Sequence, residues 1–158
     1  MMDIRYLGDP VLRTPADPVR DFGPALRTLV DRMFQAMYAA DGVGLAAPQV
    51  GVGLRLFVYD VQDGRPGMVA NPVLTVDDPA EQLDEEGCLS IPGHQYPTAR
   101  PTAVAVTGQD TNGDAITVRG RDYLARCLQH ETDHLDGRLY IDHLAKPLRR
   151  EVLLNFHP

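Results

Sequence analysis

Gln129-His130-Glu131-Thr132-Asp133-His134 decides the reading of this chain. It sits in a run from about Asp122 to Leu135 that is predicted to be a helix stopping near Gly137. At 3.6 residues per turn His130 and His134 fall on one face, so two ring nitrogens can reach one ion. Glu131 lies on the flank, where it can act on water without being a ligand. That is the H-E-x-x-H arrangement of metal-assisted hydrolysis. No common structural need places two imidazoles four residues apart around a carboxylate in an amphipathic helix.

A hydrolytic metal site needs a third protein ligand and one open position. The protease pattern H-E-x-x-H-x-x-G-x-x-H finds its glycine in Gly137, but its last position holds Tyr140. Cys127 shares the helix face, yet it precedes His134 by seven residues, a rise of roughly 10 Å, and cannot easily converge with both histidines on one ion. Cys88, in Glu86-Gly87-Cys88-Leu89-Ser90, comes from elsewhere in the chain and escapes that restriction. We therefore read Cys88 as the third ligand and Cys127 as a small buried hydrophobe.

Working outward, Leu26, Leu29, Val30, Met33, Phe34 and Met37 recur at helical spacing behind Pro24, which predicts a helix over 24–40. The glycine-rich stretch 42–53 reads as a loop. Segments 54–61 and 68–76 read as strands around a turn at Asp63-Gly64-Arg65-Pro66-Gly67, and 103–107 and 115–119 as a hairpin about Asn112-Gly113. Pro147 opens a short last helix. The predicted class is α+β: mostly antiparallel sheets around a central helix that carries the H-E-x-x-H motif, with His130 and His134 facing the sheets.

Three segments in order, Gly42-Val43-Gly44-Leu45-Ala46-Ala47-Pro48-Gln49, Glu86-Gly87-Cys88-Leu89-Ser90 and Gln129-His130-Glu131-Thr132-Asp133-His134-Leu135-Asp136-Gly137, resemble the three signatures of the peptide deformylase family. The likeness runs from Tyr6-Leu7-Gly8-Asp9-Pro10 to about Leu144. It implies a metal-dependent hydrolase that removes the N-formyl group from the initiator methionine of new polypeptides and releases formate. It also implies Glu131 as general acid-base, and Gln49 with the Leu89 N–H as donors to the formyl oxygen as it becomes an oxyanion. Residues 1–158 would form one catalytic domain.

By the same resemblance, Val43, Gly44, Tyr123, Arg126 and Cys127 would bind substrate, Gly44 by letting backbone approach the peptide and the others as wall of the methionine pocket. Glu86 and Arg100 would be a buried pair that fixes the cysteine loop. Gln95 stands where several members of the family carry an arginine near the peptide mouth, so anchoring there is expected to differ. His94 and His143 are read as surface or structural residues. The family favours one Fe(II) per chain; the ligand set leaves Zn(II), Ni(II) and Co(II) open.

Two other classes fit parts of the pattern. A zinc metallopeptidase of another H-E-x-x-H family would want a downstream His or Glu where Tyr140 stands. A non-catalytic peptide-binding relative would be expected to lose Glu131 or Gln49, and both are present. Lys plus Arg number 15 against 22 Asp plus Glu, a net charge of −7, which gives no basic surface for nucleic acid. Two cysteines make no disulfide framework. With no signal segment or long apolar run in the sequence, a cytoplasmic enzyme is expected, acting on N-formyl-methionyl peptides with no membrane partner, while a transient ribosome contact is left open.

Overall fold

A computed structural model describes residues 2–158. Helix α1 (Pro24–Ala39) forms as predicted and buries Leu26, Val30, Met33, Ala36 and Met37 on one side. Five strands, β1 (Gly44–Ala46), β2 (Leu56–Tyr59), β3 (Gly67–Gly87), β4 (Gln95–Gln109) and β5 (Ala115–Arg121), form one antiparallel sheet in sequence order. Helix α2 (Asp122–Leu135) carries the motif. A 3-10 turn (Tyr140–His143) and helix α3 (Lys146–Asn155) complete the chain.

Strand β2 explains how the sheet is covered. Successive side chains of a strand point to opposite faces. Leu56 and Val58 join α1 in one core with Leu45 and Ala70, whereas Phe57 and Tyr59 join Leu124, Ala125 and Leu128 of α2. The first strands are thus sandwiched between α1 and α2, so β2 is buried at every position and shows no polar alternation. A third core, with Leu12, Ile91, Leu139, Tyr140, Ile141 and Val152, joins the N-terminal segment to the chain after Cys88 and to α3.

The α+β, antiparallel class is as expected, and the departures are local. Gly44–Ala46, read as loop, is strand β1, paired with Phe57–Tyr59 and wholly buried; the loop continues as a 3-10 turn, Ala47–Val50. The strand expected over 68–76 runs on to Gly87, and that expected from 103 starts at Gln95. Asp77-Asp78-Pro79 should break a strand, but register shifts between Val76 and Glu81 absorb it, and proline is tolerated at such bulges. Strand 54–61 shortens to Leu56–Tyr59, and several sheets become one. Among the described residues no helix is long and apolar enough to cross a membrane.

The far end of the long β3–β4 ladder delivers Glu86 and Arg100 beneath α2 and leads straight into the turn that carries Cys88. Helix α2 stops where Gly137 adopts φ 72°, a left-handed conformation, with its N–H on the His134 carbonyl.

Candidate active site

Cys88, His130 and His134, one from the β3–β4 turn and two from α2, offer ligand atoms that all lie within 4.8 Å of one another. His130 Nε2 is 3.2 Å from His134 Nε2, and Cys88 Sγ is 3.4 Å from His134 Nε2. A tetrahedral ion at about 2.0–2.1 Å from nitrogen and 2.3 Å from sulfur sets such atoms roughly 3.3 to 3.6 Å apart. The donors fit a single ion in spacing and in chemistry. Tyr140 is not among them: its ring stacks on His130 at 6.1 Å and its hydroxyl donates to the His94 carbonyl. Cys127 is buried away from the cluster, its thiol directed at the Val43 carbonyl.

Protonation around the cluster is set by buried charge. His130 Nδ1–H donates to Glu86 Oε2 at 2.8 Å, so Nε2 is the nitrogen turned toward His134. Burial opposes charge on this ring, but Glu131, Cys88 and Glu86 outweigh it and hold His130 well above the ordinary histidine value, so an ion would have to displace the Nε2 proton. Glu86 receives Arg100 Nε at 3.1 Å and Nη2 at 2.6 Å, and Arg126 Nη1 at 2.8 Å. With His130 that makes four donors for the roughly four acceptor sites of a carboxylate. Burial would raise the Glu86 carboxyl, but His130 and Arg100 overcome it and hold it well below the usual carboxylate range. Burial and the neighbouring His130 push His134 well below the ordinary histidine value, so its ring is neutral and fit to be a ligand.

Glu131 has no such partners. It is buried, its Oε1 has no hydrogen-bond partner among the described residues, and burial drives its carboxyl up to about 7. A proton acceptor at that value is poised for acid-base work near neutral pH. Gly44 is what allows it to sit there, since a Cβ at that position would overlap the Glu131 carboxylate. Gln49 is fixed as firmly. Its Oε1 accepts from the Ala46 N–H at 2.9 Å, so Nε2 must point the other way, 3.1 Å from Ser90 Oγ and 3.6 Å from Cys88 Sγ.

Cys88, His130, Glu131 and Gln49 border a cavity of about 870 Å³, which Val43, Gly44, Leu89, Tyr123, Arg126 and Cys127 also line. All the residues singled out from the sequence are therefore brought together, with one difference in posture. Arg126, expected as pocket wall, sends its guanidinium into the Glu86 and Thr98 network, so only part of it can face the cavity. The Glu86–Arg100 pair is buried as expected. His94 lies at the cavity edge between Tyr96 and Phe156, and His143 contacts Asp133.

Sequence reasoning passed over Ser90, which is fully buried and anchors Gln49; its only signal was membership of the Glu-Gly-Cys-Leu-Ser segment. It also gave residues 4–7 no part in the site, naming Tyr6 and Leu7 only as the start of the family likeness. The Arg5 N–H donates to the Gln49 carbonyl at 2.7 Å and the Leu7 N–H to the Ser90 carbonyl at 2.9 Å, while Ile4 and Tyr6 line the cavity. This short N-terminal segment ties together the two walls that carry Gln49 and Cys88.

Known proteins are similar to this chain in sequence and fold. The family described as Polypeptide deformylase matches residues 1–150. A peptide deformylase of Parafrankia sp. is 52% identical over 151 residues, covering 96% of this chain and 82% of its own. The crystal structure of a Synechococcus elongatus peptide deformylase in complex with actinonin superposes with a TM-score of 0.91 at 41% identity, covering 96% of this chain and 85% of that one. The Thermotoga maritima peptide deformylase gives 0.88 at 46%, covering 92% and 98%.

Proposed function

Since this chain belongs to the peptide deformylase family, we propose that Cys88, His130 and His134 hold its single divalent ion, that Glu131 moves the proton, and that Gln49 and the Leu89 N–H bind the formyl oxygen. The chain is a metal-dependent hydrolase that removes the N-formyl group from the initiator methionine of new polypeptides. The observation that carries the assignment of roles is the convergence of three ligand atoms beside a buried, unpartnered Glu131 Oε1.

When bound, the ion supplies Lewis acidity, polarising the formyl carbonyl and making hydroxide available near neutral pH. The chain does the rest. Glu131 accepts the proton of the attacking water and returns it to the departing amine, so formate and a free α-amino group result. The Gln49 amide, locked by Ala46 and Ser90, donates to the oxygen as it gains charge, together with the Leu89 N–H. Val43, Gly44, Tyr123, Cys127 and the stem of Arg126 receive the methionine side chain and the peptide backbone. The cavity they line and the absence of a charged group at Val43, Gly44 and Cys127 support that reading.

A thiolate beside two imidazoles is a donor set that iron accepts as well as zinc, and Fe(II) is the ion we assign, with Zn(II), Ni(II) and Co(II) as competent replacements. The same reading makes residues 1–158 one catalytic domain, cytoplasmic, with a transient ribosome contact and no nucleic-acid partner. The test is release of formate from formyl-Met-Ala by protein purified without air, with metal content measured on the same sample. Failure to release formate from the iron-loaded protein would overturn the assignment of roles; one zinc per chain with no iron would overturn only the identity of the metal.

Within that site the two cysteines separate cleanly. Cys88→Ala is predicted to lose both metal and activity, whereas Cys127→Ala should keep one ion per chain. Equal metal loss in the two variants would remove Cys88 from the ligand set.

A further inference from the structure

The 3-10 turn Tyr140–His143 reaches His130 by two routes. Tyr140 stacks its ring on the His130 ring at an interplanar angle of 26°. His143, three residues on, contacts Asp133 Oδ2 through Nε2 at 2.9 Å. The same Nε2 lies 3.3 Å from Arg100 Nη1, which can only donate, so the shorter contact decides: the ring nitrogen carries hydrogen and donates to the carboxylate, which only accepts. The same Oδ2 receives Arg100 Nη1 at 2.8 Å. Arg100 turns its other nitrogens to Glu86, which holds His130 Nδ1. The side chains of Arg100 and Glu86 are each only 3% exposed, so neither can exchange a lost partner for water.

The turn that supplies His143 is itself anchored. Asp142 accepts from the Leu139 N–H at 3.0 Å and pairs with Arg13 at 2.6 Å. His143 is thus a fixed donor, not a side chain free to wander, although it is more exposed than the rest of the chain of contacts.

We propose that His143 is a positioning residue for His130, holding that ring through the contacts His143–Asp133, Asp133–Arg100, Arg100–Glu86 and Glu86–His130. Asp133 precedes His134 and lies almost one turn beyond His130, and both Arg100 and His143 meet its Oδ2. The donation from His143 holds that oxygen in place, and with it the Arg100 fork. Outer groups that orient a metal-binding histidine are worth a factor of about 10 to 100 in metal affinity or activity. A partly exposed donor four contacts away belongs at the low end of that range.

The inference rests on Cys88, His130 and His134 being the metal ligands, and its test is separate from theirs. His143→Leu removes the donor and keeps the bulk; His143→Gln places an amide N–H where Nε2 stood. Transfer of metal to a chelator is expected to be roughly 10-fold faster from His143→Leu than from the unaltered protein, with a fall in kcat and little change in KM. His143→Gln should restore both to within about 3-fold. The Asp133→Asn, His143→Leu double variant should release metal no faster than Asp133→Asn alone, because the two residues act in one chain of contacts. Metal release from His143→Leu at the unaltered rate overturns the proposal, as does equal loss in His143→Leu and His143→Gln. If instead Cys88→Ala keeps its metal, it is the ligand assignment that fails.

Discussion

Glu131→Gln is expected to bind metal at unaltered stoichiometry and to turn over formyl-Met-Ala about 10² to 10⁴ times more slowly, the range that general acid-base catalysis supplies. The side chain keeps its shape but can no longer accept a proton. Burial of the carboxylate raises it to about 7. Its Oε1 has no protein partner among the described residues, so it is free to take one from substrate or water. Gly44, in turn, yields it the space a side chain would fill. Formate release and metal content, measured on one preparation, decide the matter. Metal lost together with activity would make Glu131 a ligand and return the site to a different coordination.

Glu86→Ala is expected to be the most destabilising single change near the site, by about 3 to 5 kcal/mol in chemical denaturation of the metal-free protein. The reason is the company Glu86 keeps. Its carboxylate satisfies two guanidinium groups, Arg100 and Arg126, and the His130 ring, all with side chains less than 10% exposed. Removing that anion therefore leaves Arg100 with Asp133 alone and Arg126 with carbonyl partners only, and it frees a proposed metal ligand as well. Glu86→Gln, which keeps an acceptor but not the charge, should lose less. If Glu86→Ala unfolds within about 1 kcal/mol of the unaltered protein, water reaches the network and the pair is no more than a surface contact.

The sequence was legible where the physics is local. Leu26, Val30, Met33 and Met37 announce α1 by spacing alone, and they are the residues it buries. The turn at Asn112-Gly113 falls where its dipeptide puts it, with the Gly113 N–H on the Asp110 carbonyl. The proposed metal ligands were legible too, because the H-E-x-x-H spacing fixes two of them and the failure of Tyr140 sends the search to Cys88. Strand β1 was not: three buried residues show no alternation, and only the partner strand with Tyr59, Val58 and Phe57 defines it. Nor was the continuation of β3 through Asp77-Asp78-Pro79, which depends on bulges set by β4. The posture of Arg126 and the roles of Ser90 and His143 share that cause. Each is decided by a residue at least 10 positions away, and the nearest sequence carries no trace of it.

The N-terminal tie across Gln49 and Ser90 has a further consequence, for the order in which the molecule can become an enzyme. The Arg5 and Leu7 amides are made well before their partners, closing onto carbonyls some 44 and 83 positions later, and His134 comes later still. Contacts that span such lengths require loop closure before they give any return, and they form late. On a translating ribosome the opening segment therefore has nothing to bind until most of the chain has emerged. Hydrolytic competence then arises in one step only once α2 has emerged, and a chain interrupted before α2 holds a stub that cannot yet cut.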